Sequence, residues 1–322
     1  MGTDVNEETA PPHIGGAELR ALVPVERAVR VLGDALRGGL DPEDTPRRPV
    51  MDVPAGQLMM MPAAWDRYAG LKAVTVAPGN PGRGLPRIQG TYLLFDGETL
   101  APLATLDGIA LTSLRTPAVS ALAVDHLARP GARTLTVFGT GPQAWGHVEA
   151  LRAVRPVERV TVVGRDPGRT AAFAARCAGA GLEAAALTAG DPAVASAVAG
   201  SDLIACCTTA RVPVFPGKLT RDDATVVAVG SHEPDAREID EDLVARATVV
   251  VEARGAALAE AGDLVVPLRT GTIAVGHLAG NLAELVTGAV EPAPGPRVFK
   301  GVGMAWEDLV VAAAAYEARA AR

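Results

Sequence analysis

Val25, Val29, Leu32 and Leu36 recur at the spacing of one helix face and predict a helix that Gly38-Gly39 ends. The period then changes. Short apolar runs at 49–53, 57–61, 71–76, 90–95 and 101–107, parted by Pro/Gly-rich turns, read as a mostly antiparallel sheet. The connection 78–86 is long and is expected to be mobile. Thr116-Pro117 reads as an N-cap and first-turn pair opening a helix to about Ala128. From Arg133 strand and helix alternate. Strands are placed near 134–138, 159–163, 182–187, 202–207, 225–229 and 247–251, with helices between the first four. That alternation marks an α/β chain with a doubly wound parallel sheet. Residues 291–296 read as a linker, 298–303 lead into a final helix over roughly 305–319, and the polar start, 1–16, is expected to fray.

The 322 residues suggest about two domains. A net charge of −7 argues against a nucleic-acid or anionic-membrane surface. The chain lacks both a basic start joined to an apolar run and an apolar stretch of membrane-spanning length. Three cysteines form neither a disulfide framework nor a zinc pattern, and His13, His126 and His277 are scattered, so no metal is expected. These features together predict a cytoplasmic protein.

The most specific local signal lies between Leu135 and Ala144. An apolar run breaks into Gly139-Thr140-Gly141-Pro142-Gln143-Ala144 and continues as helix, with a second apolar strand, 159–163, at βαβ distance. This is a dinucleotide-binding turn. Gly139 permits the turn, Gly141 lets the backbone approach a pyrophosphate, and Ala144 allows close helix–strand packing. At the end of the second strand, where NAD-binding chains carry an acid for the ribose hydroxyl, stand Gly164, Arg165 and Asp166, with Arg169 close behind. Losing the acid and gaining arginines favours NADP(H) over NAD(H). The rival readings make Asp166 the ribose ligand or Arg165 ordinary surface charge. Thr208 and Thr209 follow the fourth strand, where they are candidates for the nicotinamide ribose.

Beyond this turn, four blocks resemble the ornithine cyclodeaminase/mu-crystallin family. They run from Leu85 to Ala121, including Asp107-Gly108 and Arg115-Thr116-Pro117; from Gly139 to His147; from Gly230 through Arg237-Glu238 to Asp240; and from Phe299-Lys300-Gly301 to Glu307-Asp308. The similarity extends over about 20–320. It implies a Rossmann domain, a substrate domain that also forms a homodimer, and NAD(P) chemistry on α-amino or α-imino acids. On this reading 1–118, completed by 300–322, bind substrate and dimerise, while 119–299 bind NADP.

The resemblance also implies that Arg48, Lys72 and Arg115 hold a substrate carboxylate. Lys72 interrupts an apolar run, and Arg115 precedes the expected helix start at Thr116, where its charge would add to the helix dipole. Arg48 is barely separable from Arg47. The alternative for all three is solvated surface charge. Lys72, crowded by two guanidiniums, is expected to have a lowered pKa and to serve as a proton donor.

Two departures stand out. His232 occupies the place of an aspartate that deaminating members carry two residues after the glycine equivalent to Gly230. Met59 replaces an acid of the ornithine-deaminating enzymes. Both weaken the case for cyclodeamination and leave the simpler reaction: reduction of a small α-imino acid such as pyrroline- or piperideine-2-carboxylate, with His232 or Lys72 as the acid. The alternatives are an ornithine- or lysine-type cyclodeaminase and a non-catalytic NADP-dependent ligand binder. Met59 is counted as substrate wall, His147 as a packing residue, and Glu307 and Asp308 as charges capping the last helix.

Overall fold

The computed structural model describes residues 10–322; the fraying expected of 1–9 lies outside the described residues. One sheet contains β1 (His13–Ile14), β2 (Val50–Val53), β3 (Gly56–Trp65), β4 (Tyr68–Val76), β5 (Ile88–Asp96) and β6 (Pro102–Asp107), ordered β1-β6-β5-β4-β3-β2. Neighbours are antiparallel except β1, which runs parallel to β6. Residues 13–14 therefore do not fray: Ile14 is fully buried. Between β4 and β5 the long connection contains a short helical turn at Asn80–Arg83, and the Asn80 side chain donates to the Pro86 carbonyl at 3.0 Å.

Burial alternates along β4, as a strand with one covered face requires. Met61, Lys72 and Tyr92 are direct cross-strand neighbours on the covered face. On the opposite face Pro62, Leu71 and Leu93 line up in the same way, half-exposed, and Met60 lies beside them. Helices α1 (Gly16–Leu22), α2 (Val25–Arg37) and α3 (Gly108–Leu127) accompany this sheet. Helix α2 follows the expected apolar stripe and ends before Gly38.

The second sheet is wholly parallel, in the order β13-β12-β14-β11-β10-β7-β8-β9. Its elements are β7 (Thr134–Phe138), α4 (Pro142–Val154), β8 (Arg159–Gly164), α5 (Pro167–Gly179), β9 (Glu183–Thr188), α6 (Ala193–Gly200), β10 (Leu203–Cys206) and β11 (Thr225–Ala228). They continue with α7 (Glu241–Arg246), β12 (Thr248–Val251), α8 (Arg254–Glu260), α9 (Gly262–Thr270), β13 (Leu278–Asn281), α10 (Leu282–Val286), β14 (Arg297–Lys300) and α11 (Ala305–Ala320). This is the doubly wound Rossmann arrangement, and strand order reverses between β7 and β10, the place where such sheets bind ligands. The segment expected as a lead-in to the last helix is in fact strand β14, inserted between β11 and β12. The final helix then crosses back onto β3, β4 and β5 of the first sheet. Among the described residues no helix is long and apolar enough to cross a membrane.

One helix boundary differs from expectation. Helix α3 starts at Gly108, not Thr116, because Asp107 caps it, accepting the N–H of Ile109 at 2.9 Å and of Ala110 at 3.0 Å. Pro117 is thereby interior and supplies no N–H to the Ser113 carbonyl. Helix α4 closes over this spot through Gly146, where a Cβ would come within 2.6 Å of Pro117 and 3.1 Å of the Ser113 oxygen. Arg115 consequently sits inside the helix and gains nothing from its dipole. Its partners are side chains.

Candidate active site

Lys72 and Arg115 come from a strand and a helix yet converge on one carboxylate. Lys72 Nζ donates to Asp308 Oδ2 at 2.7 Å and to Thr112 Oγ1 at 3.1 Å. Arg115 donates from Nε to Asp308 Oδ1 at 3.3 Å and from Nη1 to Glu307 Oε2 at 2.6 Å. All four charged side chains are buried. Glu307 and Asp308 are thus counter-ions to the cations, correcting the reading of them as helix caps. Burial outweighs the pull of Asp308 and, with the Arg115 charge, brings Lys72 down to about 8. The surrounding carboxylates hold Arg115 above its usual range despite burial. Burial and the nearby Glu252 push the Glu307 pKa well above its ordinary value, against the pull of Arg115.

Arg48 lies across the cleft. Its Nε donates to Glu260 Oε1 at 3.1 Å, its Nη2 contacts Glu260 Oε2, and the same nitrogen donates to the Val302 carbonyl at 3.1 Å. Val302 and Gly303 donate to Glu252 Oε2 at 2.8 and 2.7 Å. A Cβ at Gly303, whose φ is +82°, would lie 2.8 Å from Arg115 Nη1. The turn 302–303 therefore brings the Arg48 and Arg115 sites together, and only glycine fits it. Each cation keeps donor capacity not engaged among the described residues: Nη1 of Arg48, Nη2 of Arg115 and one N–H of Lys72. Met59 lies on the Lys72 face of β3, opposite Val74, and lines it with a thioether. His232 is solvent-exposed at the cleft edge, but the protein around it and the Arg48 charge lower its pKa, leaving the imidazole neutral at pH 7.

The glycine turn adjoins this cluster. Gly139 has φ +112°, and a Cβ there would lie 2.5 Å from the Cys207 carbonyl oxygen. Gly141 caps α4 with no side-chain partner, and a Cβ on it would meet only open space. Ala144 is fully buried. The free N–H groups of the first turn of α4, starting at Pro142, are thus left facing that space, as a pyrophosphate requires. Gln143 Nε2 donates to the Thr112 carbonyl at 3.4 Å, so one residue, Thr112, separates the turn from Lys72. At the end of β8, Gly164 has no room for a side chain: a Cβ would lie 2.2 Å from Thr170 Oγ1 and 3.0 Å from the Thr140 methyl. Asp166 caps α5, accepting the Arg169 N–H at 2.8 Å. Arg165 and Arg169 are exposed, without a carboxylate partner among the described residues.

Thr208 is engaged otherwise than expected: its hydroxyl and N–H both donate to Glu238 Oε1, at 2.7 and 2.6 Å. Thr209 remains exposed. Glu238 Oε2 also accepts the Gly230 N–H at 2.6 Å, and Lys300 Nζ pairs with Asp263 at 2.9 Å and donates to the Ser231 carbonyl at 2.6 Å. This buried set fixes the loops after β10 and β11. His147 packs between α3 and α4, its nitrogens engaged by the Gln143 carbonyl at 2.8 Å and Ser120 Oγ at 2.9 Å, and burial lowers it to about 4. No cluster of three metal-ligating side chains occurs among the described residues.

Three acids, Glu252, Glu260 and Asp263, escape a reading of the sequence, and Glu238 enters it only within a shared block, without a role. Lys300 offered a weaker signal than Lys72, a cation ending a short buried strand that also contains Arg297.

The profile of the ornithine cyclodeaminase/mu-crystallin family matches residues 21–322. A delta(1)-pyrroline-2-carboxylate reductase of Bacillus cereus is 40% identical over 253 residues, covering 77% of this chain and 76% of that protein. A delta(1)-pyrroline-2-carboxylate/delta(1)-piperideine-2-carboxylate reductase of Azospirillum brasilense is 36% identical over 314 residues, 97% of each chain. Among solved structures, delta(1)-pyrroline-2-carboxylate reductase of Thermococcus litoralis, in complex with NADH and L-proline, superposes with a TM-score of 0.89 at 30% identity, covering 96% of this chain and 98% of that one.

Proposed function

The chain belongs to the ornithine cyclodeaminase/mu-crystallin family, and on that premise we propose that it is an NADPH-dependent reductase of small cyclic α-imino acids, forming the corresponding amino acid. The observation that carries this reading is the placement of buried Lys72 one residue, Thr112, away from the dinucleotide turn. Arg115 Nη2 and the Arg48 guanidinium receive the substrate carboxylate from two sides of the 302–303 turn. When bound, the nicotinamide supplies the hydride that reaches the imine carbon. Lys72, protonated at neutral pH and titrating near 8, donates the proton taken up by nitrogen, and Asp308 holds its ammonium in place. His232, neutral at that pH, suits this donor role less well. The thioether of Met59 offers no carboxylate for handling a second amine, which favours reduction over cyclodeamination.

Arg165 and Arg169 favour NADPH over NADH, since both are free to pair with a 2′-phosphate and Gly164 cannot become the acid that a ribose hydroxyl needs. The half-exposed apolar face around Met60, Pro62, Leu71 and Leu93 is the surface through which two copies would form a homodimer. Loss of NADPH absorbance on adding pyrroline-2-carboxylate, with piperideine-2-carboxylate in parallel, tests the activity. Substrate-dependent oxidation is expected. Its absence with both imines, together with ammonia release from ornithine or lysine, would favour the cyclodeaminase instead.

A further inference from the structure

Arg48 offers a carboxylate its best edge, the parallel Nε and Nη2 donors, and that edge already holds a carboxylate, that of Glu260. The pair is only partly buried, so neither group depends on the other to escape an unsolvated charge. Glu260 ends helix α8, whose start is tied to the same stretch of chain that carries Arg48: Glu43 accepts the N–H of Arg254 at 2.7 Å and of Gly255 at 3.0 Å. The two ties, Glu43 and Arg48, bracket α8 beside a cavity of about 350 Å³ lined by Met61, Ala256, Glu260, Gly303 and Met304. Arg48 lines the same cavity and donates to the Val302 carbonyl at 3.1 Å, which places this ion pair at the cleft and not on a remote surface.

From this arrangement we infer that Glu260 is an internal competitor for the substrate carboxylate. In the unliganded cleft it occupies the two-nitrogen edge of Arg48, and the substrate gains that edge only by displacing it. Glu260 thereby sets how much substrate is needed to engage Arg48, and acts on affinity more than on the chemical step. The inference rests on the reading of Arg48 as part of the carboxylate clamp. It differs from a positioning role, in which Glu260 would aim Arg48 and its loss would weaken binding. The two roles predict opposite signs.

The test uses the full-length enzyme loaded with NADP+, titrated calorimetrically with pyrrole-2-carboxylate, a planar five-membered carboxylate with no C=N bond to reduce. Glu260→Gln keeps an acceptor for Arg48 but removes the charge, and Glu260→Ala removes both. Both variants should bind this probe at least threefold more tightly, and in turnover of the imine the larger change should fall on KM rather than kcat. Unchanged or weaker binding in both would overturn the inference, weaker binding assigning Glu260 to the positioning of Arg48. Arg48→Met serves as the separate control. If it binds the probe as tightly as the parent, the clamp reading fails and the competitor role with it. If it binds more weakly while Glu260→Gln is unchanged, the clamp stands and only the competitor role fails.

Discussion

Asp308 divides its two oxygens between two cations: Oδ2 lies 2.7 Å from Lys72 Nζ, and Oδ1 receives Arg115 Nε at 3.3 Å. Lys72 is therefore poised by opposing influences, with burial and Arg115 lowering its pKa and Asp308 raising it. If protonated Lys72 is the donor, the reductive rate should fall as pH rises through about 8. Asp308→Asn removes the influence that favours the ammonium, so the basic limb should move to lower pH. Lys72→Met should cost on the order of 10²–10⁴ in kcat, the usual contribution of a positioned acid. A pH–rate profile of parent and variants checks both, and a limb unmoved by Asp308→Asn would separate Lys72 from the titration.

The neighbouring acid should behave differently. Burial and Glu252 raise the Glu307 pKa and so favour its neutral form, which Glu307→Gln imitates in shape and charge. Its cost in stability should stay near 1 kcal/mol, the scale of an altered hydrogen bond. Asp308→Asn leaves two buried cations short of a counter-charge and should cost about 3–5 kcal/mol. Denaturant unfolding of the two variants at pH 7 provides the comparison, and equal losses would contradict a raised Glu307 pKa.

His232 gives a sharper choice of acid. Its imidazole is held below its ordinary pKa by surrounding protein and the Arg48 charge, which disfavours the imidazolium at pH 7. His232→Asn should lower kcat less than about threefold, well short of what loss of a general acid costs. A tenfold or greater loss with unchanged cofactor affinity would transfer the donor role from Lys72 to His232.

Much of the arrangement is legible in the sequence, for identifiable reasons. Strand positions in both sheets follow from apolar runs bounded by Gly and Pro, and the dinucleotide turn from Gly139, Gly141 and Ala144. Lys72 betrays itself as a lone cation in an apolar strand. The start of α3 was less accessible, because Thr116-Pro117 imitates a helix start and Asp107, at the end of a strand, does the capping. Asp308 and Glu307 imitate first-turn acids for a related reason. They do stand in the first turn of α11, but the crossover of that helix onto the first sheet turns them toward Lys72 and Arg115. That is a long-range relationship, and local spacing carries no trace of it. Strand β14 was hidden likewise: four residues after a Pro-rich stretch show no period, and only their insertion between β11 and β12 makes them a strand.

The homodimer expectation is open to a direct test on the half-exposed face of the first sheet. Leu93 stands directly across from Leu71, and Leu71 from Pro62, with burial alternating along the strands so that these side chains point away from α3 and α11. A glutamate at Leu93 would place a charge in the middle of that face. It should shift the protein from dimer to monomer in sedimentation velocity while leaving far-UV circular dichroism unchanged. A parent protein that sediments as a monomer would remove this face from the argument.

Cofactor choice comes down to the end of β8. Each charge-assisted bond from Arg165 or Arg169 to a 2′-phosphate is worth about 1.5–3 kcal/mol, so losing either should raise KM for NADPH by roughly tenfold or more. NADH has no such phosphate, and its KM should stay unchanged in Arg165→Ala and Arg169→Ala. The common route to an NAD-preferring enzyme, an acid at the strand end, is closed at Gly164 because Thr170 Oγ1 would lie 2.2 Å from the new Cβ. Gly164→Asp should therefore lower the melting temperature without improving NADH use. Adding Thr170→Ala to it should relieve the clash, restore stability and let the aspartate bond the ribose hydroxyls. The steady-state ratio of kcat/KM for NADPH to that for NADH, across these four variants, reads the whole argument. A parent enzyme that already prefers NADH would sink it.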